Sequence, residues 1–233
     1  MEPGKTSAII AAAGLGLRMQ NAYPPQEAVV GKIFLPLLDK PLISWTVAIF
    51  EGCFFINYII LVLNKADLQK GSRLRKSEGW RKVRHIIAGG SRRQDSVLSG
   101  LKLIKNSEWV VIHDGARPLV TSRLIEEGIR EASKSGAAIA AVPVKDTIKV
   151  SDSLGKVKET LSRKHLWAAQ TPQVFRYDII MRAYERDEDV TDDSSLVEKT
   201  GVPVKIYMGS YDNIKVTTQQ DMKMAEAILK GRR

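Results

Sequence analysis

Ala8-Ile9-Ile10-Ala11-Ala12-Ala13-Gly14-Leu15-Gly16-Leu17-Arg18-Met19 is the stretch on which the reading of this chain turns. A short apolar run passes into small residues and two glycines, and an arginine follows four positions after the first glycine. A buried strand that opens into a tight turn has this composition. Small side chains let a ligand approach the main chain, so amide N–H groups can face phosphate oxygens or a base edge. Arg18 adds a permanent charge whose planar fork matches phosphate.

Two familiar phosphate-binding turns are excluded on residues. A dinucleotide fingerprint needs a third glycine where this chain has Met19. Asp39 lies at about the right distance for a ribose contact, but in the turn-like Asp39-Lys40-Pro41 rather than at a strand end. A Walker-type loop needs glycine, four residues, then Gly-Lys-Ser/Thr. Around Gly31-Lys32 the outer positions are Gln26 and Ile33. A glycine-rich strand-to-helix turn with no ligand is common, so the stretch needs company before it means chemistry.

The 233 residues suffice for one substantial α/β core, and residues 1–233 are read as a single domain. A composition 44% hydrophobic and 27% charged is that of a soluble globular protein. No apolar run approaches the roughly 20 residues that span a bilayer. Met1-Glu2-Pro3-Gly4-Lys5-Thr6 does not read as a signal peptide, because the apolar stretch behind it runs straight into the glycine turn. One cysteine, Cys53, excludes an intrachain disulfide and fits a buried thiol in a cytoplasmic, reducing setting. The net charge of +10 raises nucleic acid as a partner. However, the cations are spread along the chain, and the cluster Lys70-Gly71-Ser72-Arg73-Leu74-Arg75-Lys76 has no stacking aromatic before Trp80. A solvated helix face explains that cluster, and a basic balance also suits small, multiply phosphorylated substrates.

Outward from the opening stretch, apolar runs alternate with helical patterns. Strands are expected at 7–11, 58–63, 83–88, 109–112, 137–142 and 202–207. Helical spacing joins Val97, Leu101 and Ile104, then Leu124, Ile125 and Ile129, then Met222, Ala225 and Ile228 or Leu229. The succession implies a doubly wound, parallel open sheet covered on both faces. Ligands of such sheets bind outside the carboxyl ends of strands, so the loops after residues 11, 88, 112 and 142 should share one rim. Residues 144–171 break the rhythm. There 144–150 and 156–161 alternate like strands around the turn 151–155, as a hairpin arm suited to subunit docking would.

Several short segments fall on or near that rim. Gly89-Gly90-Ser91-Arg92-Arg93-Gln94-Asp95-Ser96 feeds a helix, whose free amides and arginines suit an anion. His113-Asp114-Gly115-Ala116-Arg117-Pro118 puts a carboxylate at a strand end, where it can meet a ribose hydroxyl or a divalent ion beside phosphates. Asp146-Thr147, Arg163, Gln170-Thr171-Pro172-Gln173, Thr191-Asp192-Asp193 and Asp212-Asn213-Ile214-Lys215-Val216-Thr217 follow. Each alone has a bland explanation; Thr191-Asp192, for one, could simply cap a helix. No serine-triad elbow and no zinc spacing occurs.

In this order and over nearly the whole length, these motifs resemble the 2-C-methyl-D-erythritol 4-phosphate cytidylyltransferase family of the non-mevalonate isoprenoid pathway. The resemblance implies a Rossmann-like nucleotidyltransferase fold of the nucleotide-diphospho-sugar transferase type, with a protruding β-arm spanning about 144–171. It implies a cytoplasmic homodimer clasped by the arms, with CTP and a sugar-alcohol phosphate as substrates, Mg²⁺ or another divalent cation as cofactor, and neither nucleic acid nor membrane as partner. The acceptor phosphate would attack the α-phosphorus of CTP and expel pyrophosphate. Such a step needs in-line placement and positive charge, not a covalent nucleophile.

By the same resemblance, Arg18 and a loop lysine would stabilise the α-phosphate, while Ala12, Ala13, Gly14, Gly90, Ser91 and Ser96 surround cytosine. Arg93, Asp114 and Gly115 complete the nucleotide set, with Asp114 near ribose and metal. Asp114, Arg117, Thr147, Arg163, Thr171, Thr191 and Lys215 would hold the acceptor, Arg163 and Lys215 serving the chemistry as well.

One segment departs from the family pattern of Pro-Lys-Gln followed by an aromatic. Aligned from the left, Pro24-Pro25-Gln26 has no lysine; aligned from the right through Phe34-Leu35-Pro36-Leu37-Leu38, Lys32 takes its place. The chemistry wants a cation, which selects Lys32. A Lys32→Ala variant is then expected to lower turnover more than it raises KM for CTP. The nearest alternative is a ribitol-5-phosphate cytidylyltransferase, which shares the nucleotide loops. A nucleotide-sensing scaffold is disfavoured by the retention of Arg18, Thr147, Arg163 and Lys215 together.

Overall fold

A computed structural model describes residues 4–14, 31–186 and 188–232. Among these residues eleven strands form: β1 (Thr6–Ala12), β2 (Pro36–Leu37), β3 (Lys40–Pro41), β4 (Tyr58–Leu63), β5 (Val83–Ala88), β6 (Trp109–Asp114), β7 (Ala137–Pro143), β8 (Lys149–Ser151), β9 (Val157–Thr160), β10 (Trp167–Arg176) and β11 (Lys205–Met208). The α-helices among the described residues are α1 (Leu42–Gly52), α2 (Leu68–Ser77), α3 (Arg93–Leu101), α4 (Ser122–Ser135), α5 (Tyr177–Ala183), α6 (Asp193–Glu198) and α7 (Gln219–Gly231). Seven strands form one sheet in the order β11-β7-β10-β6-β1-β4-β5.

The middle stretches of β1, β4, β6 and β7 are apolar because both faces are covered. Along β1, Ala8, Ile10 and Ala12 point to one core with Val47 and Phe50 of α1 and Ile125 and Ile129 of α4. Ile9 points to the other, with Val97 and Leu101 of α3, Ile180 of α5 and Leu196 of α6. The same alternation divides Ile59 and Leu61 from Ile60 and Val62 on β4. A side chain such as Ile9, fully buried, contributes about 1.5–3 kcal/mol relative to leaving it in water. A third cluster packs Met222, Ala225 and Leu229 of α7 on Leu37 and Leu42. Helix α4 ends at Gly136, whose φ of 85° is the left-handed cap that glycine adopts without penalty.

The α/β architecture agrees with the sequence reading, but the sheet is mixed rather than parallel. β10 lies between β6 and β7 and is antiparallel to both. Its sequence, with Gln170, Thr171, Pro172 and Gln173, carries no strand signal, and proline sits inside a strand only at an irregularity. Here the register with β7 shifts between Ala169 and Gln173. The polar residues are buried against partners: Gln170 Nε2 donates to the Ser210 carbonyl at 2.9 Å and Gln173 Nε2 to Asp192 Oδ2 at 2.7 Å. Residues 167–171 therefore belong to the large sheet, not to the arm. The arm itself is the separate β8–β9 ribbon, shorter than expected.

Candidate active site

Strand register decides which loops meet. Ala11 of β1 lies opposite Asp114 of β6, Ala12 opposite Leu63 of β4, and Leu63 opposite Ala88 of β5. Four strands thus end side by side, and the residues beyond them enclose a cleft of about 680 Å³. Its walls are Ala11 and Ala12 at the end of β1 with Ala13 and Gly14 beyond it, Asn64 after β4, and Gly90, Ser91, Arg92, Arg93 and Ser96 after β5. Asp114 ends β6 and Ala116 follows it, while Lys32, Ile33, Lys215 and Thr217 close the rim.

Small residues are required where the two glycine-rich turns touch. A Cβ on Gly89 would stand 2.4 Å from both Ala13 Cβ and Ser96 Oγ. Ser96 Oγ accepts from Gly90 N–H and donates to the Arg92 carbonyl, each at 3.2 Å, which fixes the turn against α3. Asp95 accepts from Arg92 N–H at 2.9 Å and pairs with the Arg92 guanidinium at 2.8 Å; this arginine draws its carboxyl down to about 2.

Asp114 is the electrostatic centre. Its Oδ1 accepts from Arg93 Nε at 3.1 Å, its Oδ2 lies 2.8 Å from Lys215 Nζ, and Arg117 Nε stands 3.6 Å from Oδ2. Burial alone would push this carboxyl up, but Arg93, Lys215 and Arg117 outweigh it and hold Asp114 far below the usual carboxylate range. The cleft therefore contains an ionised carboxylate inside a cationic bracket.

Behind Asp114 lies a neutral relay. His113 is fully buried, and burial pushes its pKa down to about 4 against the pull of the Arg117 carbonyl. Its Nε2 is 3.2 Å from that carbonyl oxygen, which can only accept, so the ring proton is assigned to Nε2. Nδ1 then accepts from the Thr171 hydroxyl at 3.0 Å, and Thr171 Oγ1 accepts from Asp114 N–H at 3.0 Å. Arg93 also reaches away from the cleft: its Nη1 is 2.7 Å from Oδ2 of the fully buried Asp193, whose Oδ1 accepts from Tyr184 Oη at 2.5 Å.

Of the residues singled out by sequence, Ala12, Ala13, Gly14, Lys32, Gly90, Ser91, Arg93, Ser96, Asp114 and Lys215 line the cleft together. Arg18 lies outside the described residues. Gly115 does not line the cleft; a Cβ there would stand 2.7 Å from Ala12 Cβ and 2.8 Å from Ile43 Cδ1, so its size serves packing behind the wall. Arg117 is likewise set back, its Nη1 donating to the Asn213 carbonyl at 2.7 Å. The Thr171 hydroxyl is consumed by His113 and Asp114. Thr191 is exposed ahead of α6, and the cap is Asp192, which accepts from Ser195 N–H at 3.1 Å. Thr147 and Arg163 are exposed at the base of the arm, where Arg163 donates to the Lys145 carbonyl; neither lines the cleft of its own chain.

Sequence reasoning passed over Asn64, although the strand-end rule applied to 58–63 would have found it. Asn64 Oδ1 accepts from Ala66 N–H at 3.0 Å and so shapes the turn after β4. Arg92 and Thr217 lay within quoted motifs without being chosen. Ile33 and Ala116 line the cleft as apolar wall and carried no signal of their own.

Comparisons with known proteins agree with this geometry. The family model described as 2-C-methyl-D-erythritol 4-phosphate cytidylyltransferase matches residues 6–231. A 2-C-methyl-D-erythritol 4-phosphate cytidylyltransferase of Alkaliphilus oremlandii is 46% identical over 98% of this chain and 97% of its own. One from Dehalococcoides mccartyi is 46% identical over 97% and 96%. Among solved structures, the 4-diphosphocytidyl-2C-methyl-D-erythritol synthase of Anaerococcus prevotii superposes with a TM-score of 0.82 at 32% identity, covering 97% of this chain and 98% of that one. The Thermus thermophilus 2-C-methyl-D-erythritol 4-phosphate cytidylyltransferase gives 0.76 at 26% identity, covering 97% and 99%. Fold, cleft and sequence converge, and the chain belongs to the 2-C-methyl-D-erythritol 4-phosphate cytidylyltransferase family.

Proposed function

We propose that this chain transfers a cytidylyl group from CTP to 2-C-methyl-D-erythritol 4-phosphate, giving 4-diphosphocytidyl-2-C-methyl-D-erythritol and pyrophosphate. An oxygen of the acceptor phosphate forms the new bond to the α-phosphorus, and the bond from that phosphorus to the β-phosphate bridge breaks. The observation that carries this reading is the ionised Asp114 bracketed by Arg93 and Lys215 beside a wall of alanine and glycine main chain. The small wall leaves room for a base, and the cations offer compensation for charge on transferring phosphoryl oxygens. Lys215 is a flexible point charge, 40% exposed, and can leave Asp114 for a phosphate. Lys32 also lines the cleft and supplies the cation of the divergent loop. A covalent nucleophile is not required, and Cys53 is no candidate: burial pushes its thiol up within the core.

Asp114 is the only carboxylate lining the cleft among the described residues, and no group of three metal-ligating side chains occurs among them. Mg²⁺ is commonly held by one or two carboxylates plus substrate phosphates, so Asp114 fits such an ion once Lys215 releases its oxygen. When bound, the ion would neutralise charge on the triphosphate and on departing pyrophosphate.

The chain functions as a homodimer through the arm. Val150, Leu154 and Val157 on the ribbon and Trp167 at its base are exposed by 39%, 79%, 60% and 39%. A two-stranded ribbon with no core of its own is marginal in water, and a second copy would cover this apolar face. Thr147 and Arg163 would then meet acceptor phosphate in the assembled site. The reaction is tested by incubating the protein with CTP, Mg²⁺ and either 2-C-methyl-D-erythritol 4-phosphate or ribitol 5-phosphate, and measuring pyrophosphate. Release with the methylerythritol acceptor is expected; release with ribitol 5-phosphate alone overturns the reading.

A further inference from the structure

Arg93 is held from two sides, and only one of them belongs to the cleft. Its Nε serves Asp114, while Nη1 faces Asp193 at the start of α6. A guanidinium is planar, so two anchored nitrogens fix the plane and the direction of the third. Nη2 has no partner among the described residues, and Arg93 lines the cleft. A buried carboxylate is costly unless paired and hydrogen-bonded. Asp193, fully buried, is ion-paired through Oδ2 with Arg93 Nη1 at 2.7 Å and hydrogen-bonded through Oδ1 with the Tyr184 hydroxyl. Next to it, Gln94 Nε2 donates to the Glu188 carbonyl at 2.7 Å, so two successive residues of α3 are tied to the segment leading into α6.

We infer that Asp193, backed by Tyr184, is a positioning residue for cytidylyl transfer: it aims the Arg93 guanidinium so that one edge holds Asp114 and the free nitrogen faces bound nucleotide. The inference rests on the reading that this cleft takes CTP. It also accounts for charge. Asp114 alone among Arg93, Arg117 and Lys215 would leave two uncompensated cations in a partly buried site, and Asp193 reduces that excess to one. With the carboxylate gone, Arg93 has a single remaining anion and turns toward Asp114 with both arms, withdrawing the nitrogen that faces the ligand.

Titration calorimetry with CTP and steady-state pyrophosphate release test this on Asp193→Asn, Arg93→Gln and the double variant, with melting curves for each. Asp193→Asn is expected to weaken CTP binding about tenfold or more, whereas in the Arg93→Gln background the same change adds less than about twofold, as coupled neighbours do. Tyr184→Phe, which keeps the ring in the core, is expected to weaken CTP binding by about threefold. Losses that multiply independently in the double variant, or CTP affinity at the wild-type level in both Asp193→Asn and Tyr184→Phe, overturn the inference. A wild-type protein that binds CTP but releases no pyrophosphate with either acceptor counts against the proposed reaction instead. The binding cycle then still decides the role of Asp193.

Discussion

At the rim of the large sheet, cations converge on one buried carboxylate and hold it by name; on the β8–β9 ribbon, apolar side chains are exposed and none has a core to enter. Asp114 is 6% exposed and has Arg93 and Lys215 within 3.1 Å. Leu154 is 79% exposed at the ribbon tip, where Asp152 Oδ1 accepts from Leu154 and Lys156 N–H to form the turn. The rim is preorganised by its own chain, because strand register brings the ends of four strands together before any ligand arrives. The ribbon has local hydrogen bonding and no local burial, and the proposed second copy would fix its position. Phosphate-facing residues were expected in both regions, and only those on the rim line a cleft within one copy.

The sharpest way to break this contrast is at the rim. Asp114→Asn leaves Arg93, Lys215 and Arg117 around a neutral amide. We predict a fall in kcat/KM of about 10²–10³, the range found when one preorganised electrostatic group is lost. A loss below about threefold would mean that the bracket is not where charge is handled. The ribbon is addressed by complementation. Lys215→Ala and Arg163→Ala chains, each nearly inactive alone, are mixed under exchange. If an arm completes the site of the other copy, roughly a quarter of wild-type activity returns, since half of randomly exchanged dimers are hybrids with one intact site. No recovery, in samples shown by native mass spectrometry to contain hybrids, places Arg163 in the site of its own chain.

The same contrast explains what sequence could and could not disclose. Strands β1, β4, β6 and β7 were legible because burial on both faces leaves continuous apolar runs, and the strand-end rule brought the loops after 11, 88 and 112 to the rim that lines the cleft. Asn64 escaped only because that rule was not applied after 58–63. β10 escaped for a physical reason: Gln170, Thr171 and Gln173 look like loop residues until their buried partners are known. The family resemblance placed Gly115 and Arg117 at the ligand; no linear pattern discloses that Gly115 also packs toward Ile43 or that Arg117 braces the Asn213 carbonyl. Asp193 was in view beside Thr191 and Asp192, but nothing in a linear pattern pairs it with Arg93, a hundred residues earlier.

A smaller effect is expected from pH. His113 has a folded pKa of about 4 against an ordinary value of 6.5. Between those values the unfolded chain binds the extra proton and the folded chain does not, so stability is fully present above pH 6.5 and is lost as pH falls toward 4. The Asp114 carboxyl, held far lower, titrates below this window and acts in the same direction. Melting temperature should fall by about 5 °C or more from pH 7 to pH 4.5, and the slope should flatten in His113→Gln. Equal slopes in both proteins would show that the relay behind Asp114 does not depend on a neutral ring.

The smallest effect belongs to the ribbon tip, and its smallness is the point. Leu154→Ser removes an apolar group already in water within one chain, so the stability of that chain should change by no more than about 0.5 kcal/mol. In the core the same type of change, Leu61→Ser, empties a fully buried site and introduces a hydroxyl without a partner, costing about 3 kcal/mol or more. If a second copy covers the ribbon, Leu154→Ser should instead raise the dimer dissociation constant about tenfold, as expected when one leucine is no longer transferred out of water. Sedimentation at concentrations spanning the transition measures that change while melting of the concentrated protein stays constant. A dissociation constant unchanged by both Leu154→Ser and Val157→Ser would leave the apolar face of the ribbon without a role in assembly. A shift confined to assembly would show that one chain orders its cleft through buried charge and its arm through a partner.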